Sequence, residues 1–154
     1  MNSLNPIWLV EDSADDIELT LAALESIHLA NHVVVMHDGS EVIDRLKADG
    51  IDSLPAVILL DIKMPKVSGI EVLRALKNDL RLKNLPVVML TSSRQGPDLA
   101  ECYALGVNAY VVKPVESTAF IEAVTTVGKF WAVVNERPGA IRIGEVTNAH
   151  LAER

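Results

Sequence analysis

Ala56-Val57-Ile58-Leu59-Leu60-Asp61-Ile62-Lys63-Met64-Pro65 is the stretch on which the fold turns. Five apolar residues run without alternation and end on an acid, with a proline close behind. A strand that shows one face to water alternates apolar and polar residues. A continuous run is buried on both faces, as in a parallel sheet covered by helices. Four more runs of this kind lie at residues 7–10, 33–36, 87–90 and 109–112, each rich in Val, Ile or Leu.

The segments between the runs carry helical period. Ser13-Ala14-Asp15-Asp16 opens one helix, with Ile17, Leu21 and Leu24 on a shared face. Asp38-Gly39-Ser40-Glu41 opens the next, carrying Val42 and Leu46 and stopping near Gly50, and Ser68-Gly69-Ile70-Glu71 opens the third. Each places a capping side chain three residues before an acid, the pattern that satisfies the free amides of a helix start. A fourth helix is expected after Pro97, ending at Gly106, where glycine accommodates the left-handed C-cap. The fifth starts at Ser117 and carries Phe120, Val124, Val127 and Trp131. Strand and helix alternate five times, which predicts an α/β doubly wound five-stranded parallel sheet.

The chain has 154 residues, enough for one domain with a substantial core. The pattern holds to residue 134, and Asn135-Glu136-Arg137-Pro138-Gly139 reads as a break. Residues 135–154 are therefore expected to be a C-terminal extension, with no separate output domain. A net charge of -7, with 14 Lys and Arg that never adjoin one another, disfavours nucleic-acid binding. The single cysteine, Cys102, excludes an intrachain disulfide and reads as a small core residue. Neither a signal peptide nor a membrane span is evident, so a cytoplasmic protein is expected.

Ligands of open α/β sheets bind beyond the carboxyl ends of the strands. Those ends present Glu11 and Asp12 after the first strand, Asp61 after the third, Thr91 after the fourth and Lys113 after the fifth. Three carboxylates, a hydroxyl and an ammonium thus share one rim. Acids brought together call for a cation, and a hard ion such as Mg²⁺ prefers carboxylate and carbonyl oxygens. One carboxylate is then left to attack phosphorus, with Thr91 and Lys113 placed to hold phosphoryl oxygens. Singly, each residue has an ordinary reading as a helix cap, a turn residue or a solvated lysine. It is the set, at the correct strand ends, that points to phosphoryl chemistry.

Val10-Glu11-Asp12, Leu60-Asp61-Ile62-Lys63-Met64-Pro65 with Gly69, Leu90-Thr91-Ser92 and Tyr110-Val111-Val112-Lys113-Pro114 resemble the signature of response-regulator receiver domains. The likeness spans roughly residues 5 to 131. It implies a flavodoxin-like sheet of order 2-1-3-4-5 and a stand-alone switch that takes a phosphoryl group from a sensor histidine kinase. Such a switch assists its own phosphorylation and dephosphorylation but is not otherwise an enzyme.

The resemblance also implies a role for each residue. Asp61 is the phosphoacceptor, and Asp12 ligates the metal directly while Glu11 acts largely through water. Lys63 contributes its backbone carbonyl to the metal. Thr91 and Lys113 sense the phosphoryl group, Tyr110 is the rotamer switch, and the Lys113–Pro114 bond is cis. Glu11 departs from the commoner Asp, and Lys63 occupies a position where the family varies.

A finer likeness, to receivers of the cyanobacterial phytochrome kind, rests on the connection from Asn78 to Pro86, on Cys102-Tyr103 and on Phe130-Trp131. It implies a bacteriophytochrome kinase as partner. The apolar content of the last helix runs past what the sheet covers, to be covered either by residues 135–154 folding back or by a second copy. The resemblance to receivers that dimerise through this region favours a homodimer through that helix and the extension, tightened by phosphorylation.

Two rivals fit less well. A haloacid-dehalogenase-type phosphatase requires a second Asp where Lys63 stands. A flavodoxin-like FMN binder requires a hydroxyl- and glycine-rich phosphate loop where Glu11 and Asp12 stand.

Overall fold

The computed structural model describes residues 5–49 and 54–135. Five strands, β1 (Ile7–Val10), β2 (Val33–Met36), β3 (Val57–Leu60), β4 (Val87–Thr91) and β5 (Ala109–Val112), alternate with five helices. The helices are α1 (Ala14–Glu25), α2 (Gly39–Asp49), α3 (Gly69–Asn78), α4 (Gly96–Leu105) and α5 (Ser117–Lys129). All strands are parallel, in the order β2-β1-β3-β4-β5. Both the doubly wound sheet and its expected order are therefore found.

Each central strand feeds two cores, because successive side chains point to opposite faces. Trp8, Val10, Ile58, Leu60, Val87 and Met89 pack with Val42, Val72, Leu73, Leu76 and Cys102 on the α2–α4 side. Ile7, Leu9, Val57, Leu59, Val88 and Leu90 pack with Ala23, Leu24, Phe120 and Val124 on the α1–α5 side. This two-sided burial explains why the strands do not alternate in sequence. The edge strands are only partly covered, and Val33, Val35, Ala109 and Val111 are half-buried.

The helix starts follow their local chemistry. Ser13 and Ser68 each accept the amide of the residue three further on, and at Ser68 the Glu71 carboxylate returns the bond to complete a capping box. Asp38 caps α2 by accepting the Glu41 amide, while Glu41 reaches back one residue further, to the amide of His37. Helix α4 ends at Gly106, whose φ of 96° is the left-handed conformation glycine tolerates. The expected stop of α2 at Gly50 lies outside the described residues.

Two expectations need correction. The buried stripe of α1 is Thr20, Ala23 and Leu24, with Ile17 beside it, so it is rotated about one residue from the Ile17–Leu21–Leu24 face. Ala23 allows close approach, and α1 packs along α5, where buried Gly128 faces Leu24. The Lys113–Pro114 peptide is trans, as are all peptide bonds among the described residues. Trans is the form an X–Pro bond prefers by about 0.5–1 kcal/mol unless packing compels the other.

Lys77, in the last turn of α3, anchors the long connection to β4. Its ammonium donates to the carbonyls of Lys83 (3.1 Å) and Leu85 (2.9 Å) and to the Asn108 side chain (3.0 Å). Asn108 in turn accepts the Val87 amide at 2.8 Å, joining the starts of β4 and β5. Burial lowers the pKa of Lys77, as expected for a cation that leaves water for neutral acceptors. Lys77→Met keeps the stem and removes three donors, so it should lower stability by about 1–3 kcal/mol in urea melts. A change below 0.5 kcal/mol, on the order of a neutral surface substitution, would show that the connection holds itself.

Candidate functional site

The parallel register delivers the site. Val10 pairs with Leu60, and the ladder continues one residue further, with the Asp61 amide donating to the Val10 carbonyl at 3.1 Å. Glu11 is fixed on the other side of β1, its amide donating to Met36 at 2.9 Å. At β5 the Lys113 amide donates to the Thr91 carbonyl at 2.7 Å. Backbone bonds thus pin Glu11, Asp61, Thr91 and Lys113 at the carboxyl rim before any side chain is considered.

Glu11 and Asp61 are buried, Asp12 is exposed, and their carboxylate oxygens lie within 4.8 Å of one another. One Asp61 oxygen accepts the Ile62 amide at 2.7 Å, while the other faces Lys113 Nζ at 3.3 Å. Glu11 spans two donors: Oε1 accepts the Ser13 amide at 3.1 Å and Oε2 the Lys113 ammonium at 2.5 Å. Asp16 completes the ring around Lys113, with Oδ2 2.7 Å from Nζ.

The electrostatics follow from burial. Desolvation pushes the Glu11 carboxyl up to about 7, and the neighbouring Asp61 charge adds to it, against the lowering pull of the Lys113 bond. Burial works to lower the Lys113 ammonium, but its bonds to Asp16 and Glu11 prevail and hold it above its ordinary value. One ammonium therefore serves three acids, Glu11, Asp16 and Asp61, while Asp12 adds a further carboxylate beside Glu11 and Asp61.

On the far side of the rim, Thr91 is fully buried, and its Oγ1 accepts the Ser93 amide at 3.2 Å. The Tyr110 hydroxyl donates to the Ser93 carbonyl at 3.0 Å, and the Ser93 hydroxyl donates to Asp98 in α4 at 2.6 Å. Burial raises the Tyr110 phenol, with the Ser93 bond opposing.

Of the residues expected at the site, Glu11, Asp12 and Asp61 come together, with Lys113 against Glu11 and Asp61. Thr91 and Tyr110 are linked to each other through Ser93, and Lys63 is exposed two residues beyond Asp61. Sequence reading missed the roles of Asp16, Ser93 and Asp98. Asp16 was visible only as the acid of a helix cap, and nothing in the spacing indicated that its carboxylate turns back to a lysine 97 positions away.

Residues 7–125 match the response regulator receiver domain family. This chain belongs to that family. Receivers are signalling switches rather than enzymes in the ordinary sense. The chain is 52% identical to the bacteriophytochrome response regulator AtBRR, over 88% of this chain and all of that one, with a TM-score of 0.66. It is 35% identical to the phosphorylated cyanobacterial phytochrome response regulator RcpA, covering 88% and 99% of the two chains, with a TM-score of 0.82. Response regulator Rcp1 of Synechocystis is 33% identical over 137 residues, 87% of this chain and 93% of its own. The Mn²⁺-bound structure of Rcp1 aligns with a TM-score of 0.79.

The receiver site also depends on Gly69. Its amide donates to the Ile62 carbonyl at 2.9 Å, and a Cβ built at this position would lie 2.0 Å from the Asp61 carbonyl oxygen. That neighbour is backbone and cannot rotate away. Gly69→Ala must therefore push α3 off the Asp61 turn, and a stability loss of roughly 3 kcal/mol is expected in denaturant melts. Wild-type stability in this variant would mean that the turn yields without cost.

Proposed function

We propose that this receiver is a stand-alone phosphorylation switch whose acceptor is Asp61 and whose donor is the phosphohistidine of a partner kinase. The observation that carries the reading is the Asp61 carboxylate itself, pinned by the Ile62 amide and set between the Glu11–Asp12 acids and the Lys113 ammonium. An Asp61 oxygen attacks phosphorus as the phosphorus–nitrogen bond of the donor breaks. The imidazole leaves, and an acyl phosphate remains on Asp61.

The donor set fits a hard divalent cation. Glu11, Asp12 and Asp61 gather oxygen ligands with too little positive charge nearby, and burial makes that shortage costly for Glu11. These residues would hold Mg²⁺ with the Lys63 carbonyl, Asp12 directly and Glu11 largely through water. The ion supplies charge neutralisation for the phosphoryl oxygens. The Mn²⁺-bound form of Rcp1 supports such a site in a relative.

Lys113 and Thr91 then receive the phosphoryl oxygens. Thr91 Oγ1 already accepts from Ser93, so its own proton is free to be donated. Drawing Thr91 toward the phosphoryl group pulls on Ser93, and through it on Tyr110 and α4, which makes Tyr110 the switch residue. The likeness to AtBRR and RcpA supports a bacteriophytochrome-type histidine kinase as the donor. Among the described residues no helix is long and apolar enough to cross a membrane.

Acetyl phosphate with Mg²⁺ should add one phosphoryl group, seen as a single mass increment, and Asp61→Asn should remove it while leaving the fold intact. Full modification of the Asn variant would end this reading.

The proposed division is a receiver over residues 1–134 followed by an extension over 135–154, and the acidic charge disfavours a nucleic-acid partner. Residues 136–154 lie outside the described ones. The last turn before them, Phe130–Val134, leaves Phe130, Val133 and Val134 about half exposed or more, with the Phe130 ring edge-on to Trp131. An apolar run of this kind suits a second copy of the chain, since closed twofold dimers are the commonest soluble oligomers. The homodimer should sediment as such at micromolar concentration, more tightly when phosphorylated, and Phe130→Glu should shift it to monomer. Monomeric wild type in both states would refute the dimer.

A further inference from the structure

We infer that Asp16 is a positioning residue for phosphoryl uptake, the tether that keeps the Lys113 ammonium at the rim while its other two carboxylate partners change hands. The inference rests on the reading of Asp61 as phosphoacceptor.

Lys113 Nζ has three N–H donors, and three carboxylates take them: Glu11 at 2.5 Å, Asp16 at 2.7 Å and Asp61 at 3.3 Å. These partners are not equivalent. Glu11 and Asp61 belong to the carboxylate cluster that suits a divalent cation, and Asp61 also becomes the acyl phosphate. Both lose negative charge toward Lys113 as the site loads. Asp16 stands outside that cluster, on the first turn of α1, and neither ligates the cation nor takes the phosphoryl group.

A lysine ammonium is a point charge on a flexible four-carbon stem, and holding it in one place costs rotamer freedom. Backbone bonding fixes only the root of Lys113, through the Thr91 carbonyl. Asp16 fixes the tip. Its own place is set by the cap, where Ser13 Oγ accepts the Asp16 amide at 3.4 Å, and by the favourable field of the helix N-terminus. The same Ser13 amide is held by Glu11, so residues 11–16 wrap around the ammonium as one loop. With Asp16 retained, one of the other two donors of Lys113 can turn to a phosphoryl oxygen without the ammonium leaving the rim.

The alternative is that Asp16 only adds negative charge. In that case it repels the anionic donor, and its removal would speed uptake. The two readings therefore predict opposite signs.

The test uses the full chain with acetyl phosphate. The acetate–phosphorus bond breaks as the Asp61–phosphorus bond forms, and acetate leaves. Asp16→Ala should slow this step about tenfold, the size of one lost charge-assisted hydrogen bond. Mg²⁺ affinity, measured by calorimetry, should stay within about twofold, since Asp16 is not a ligand in the proposed shell. Asp16→Glu should restore most of the rate, and Asp16→Asn less. In a Lys113→Ala background the Asp16→Ala effect should vanish, because two residues acting through one contact are not additive.

An unchanged or faster rate in Asp16→Ala overturns the tether, as does an equal fall in the Lys113→Ala background. A wild-type chain that takes up no phosphoryl group fails at the prior step and removes the Asp61 reading with it.

Discussion

Lys113 Nζ, buried among Glu11, Asp16 and Asp61, is the contact on which the working rim depends. Removing a carboxylate from water is expensive unless an opposite charge and hydrogen bonds replace the lost hydration. Glu11 and Asp61 are both nearly inaccessible, and Lys113 places one ammonium within hydrogen-bond reach of both. Lys113 can serve them only because five parallel strands present their carboxyl ends on the same edge. That arrangement demands strands buried on both faces, and hence the two cores built from alternate residues of β1, β3 and β4. The continuous apolar runs and the charged rim are two parts of one requirement.

The rim is joined to the surface of α4 through a single residue. Ser93 donates its amide to Thr91 and its hydroxyl to Asp98, and its carbonyl accepts the Tyr110 hydroxyl. A two-state element responds to a ligand only through contacts that differ between its states. Here all three contacts converge on one buried serine, so the segment after β4 cannot move at Thr91 without also disturbing Tyr110 and the first turn of α4. The coupling is short, polar and almost wholly within residues 91–98 and 110.

The sequence carried the architecture because burial dictates composition. Buried strands, helix starts at Ser13, Asp38 and Ser68, and the glycine stop at Gly106 all have local chemical causes that a reader of residues can recover, whereas the strand order came only with the family resemblance. The rim residues were legible for a similar reason: strand ends are predictable, and Glu11, Asp12, Asp61, Thr91 and Lys113 stand at them. Long-range side-chain geometry was not. The α1 face was misjudged by about a residue because Leu21 is as apolar as Leu24, and only the small residues opposite α5 decide which of them is buried. Asp16 was hidden because a first-turn acid satisfies the helix start whether or not it also meets a lysine. The bond at Pro114 is trans, the form an X–Pro pair prefers by itself, and only the family resemblance pointed to cis.

Glu11, where receivers more often have Asp, gains a physical explanation from its two contacts. Its carboxylate reaches forward to the Ser13 amide with one oxygen and across to Lys113 with the other. A side chain one methylene shorter, rooted at the same backbone bond to Met36, would have to give up one of them. The longer acid therefore ties the cap of α1 to the ammonium, and the loop that carries Asp12 and Asp16 becomes part of the rim rather than a solvated connection. Three hydrogen-bonded anchors, Ser13 to Glu11, Asp16 to Ser13 and Lys113 to both acids, close that loop on itself. What stays unbalanced is charge: three acids share one ammonium, Asp12 lies beside them, and burial raises Glu11 despite its bond to Lys113. Under the proposed function, a cation joining this rim would relieve that imbalance, and would link cation binding and phosphorus chemistry through the same oxygens.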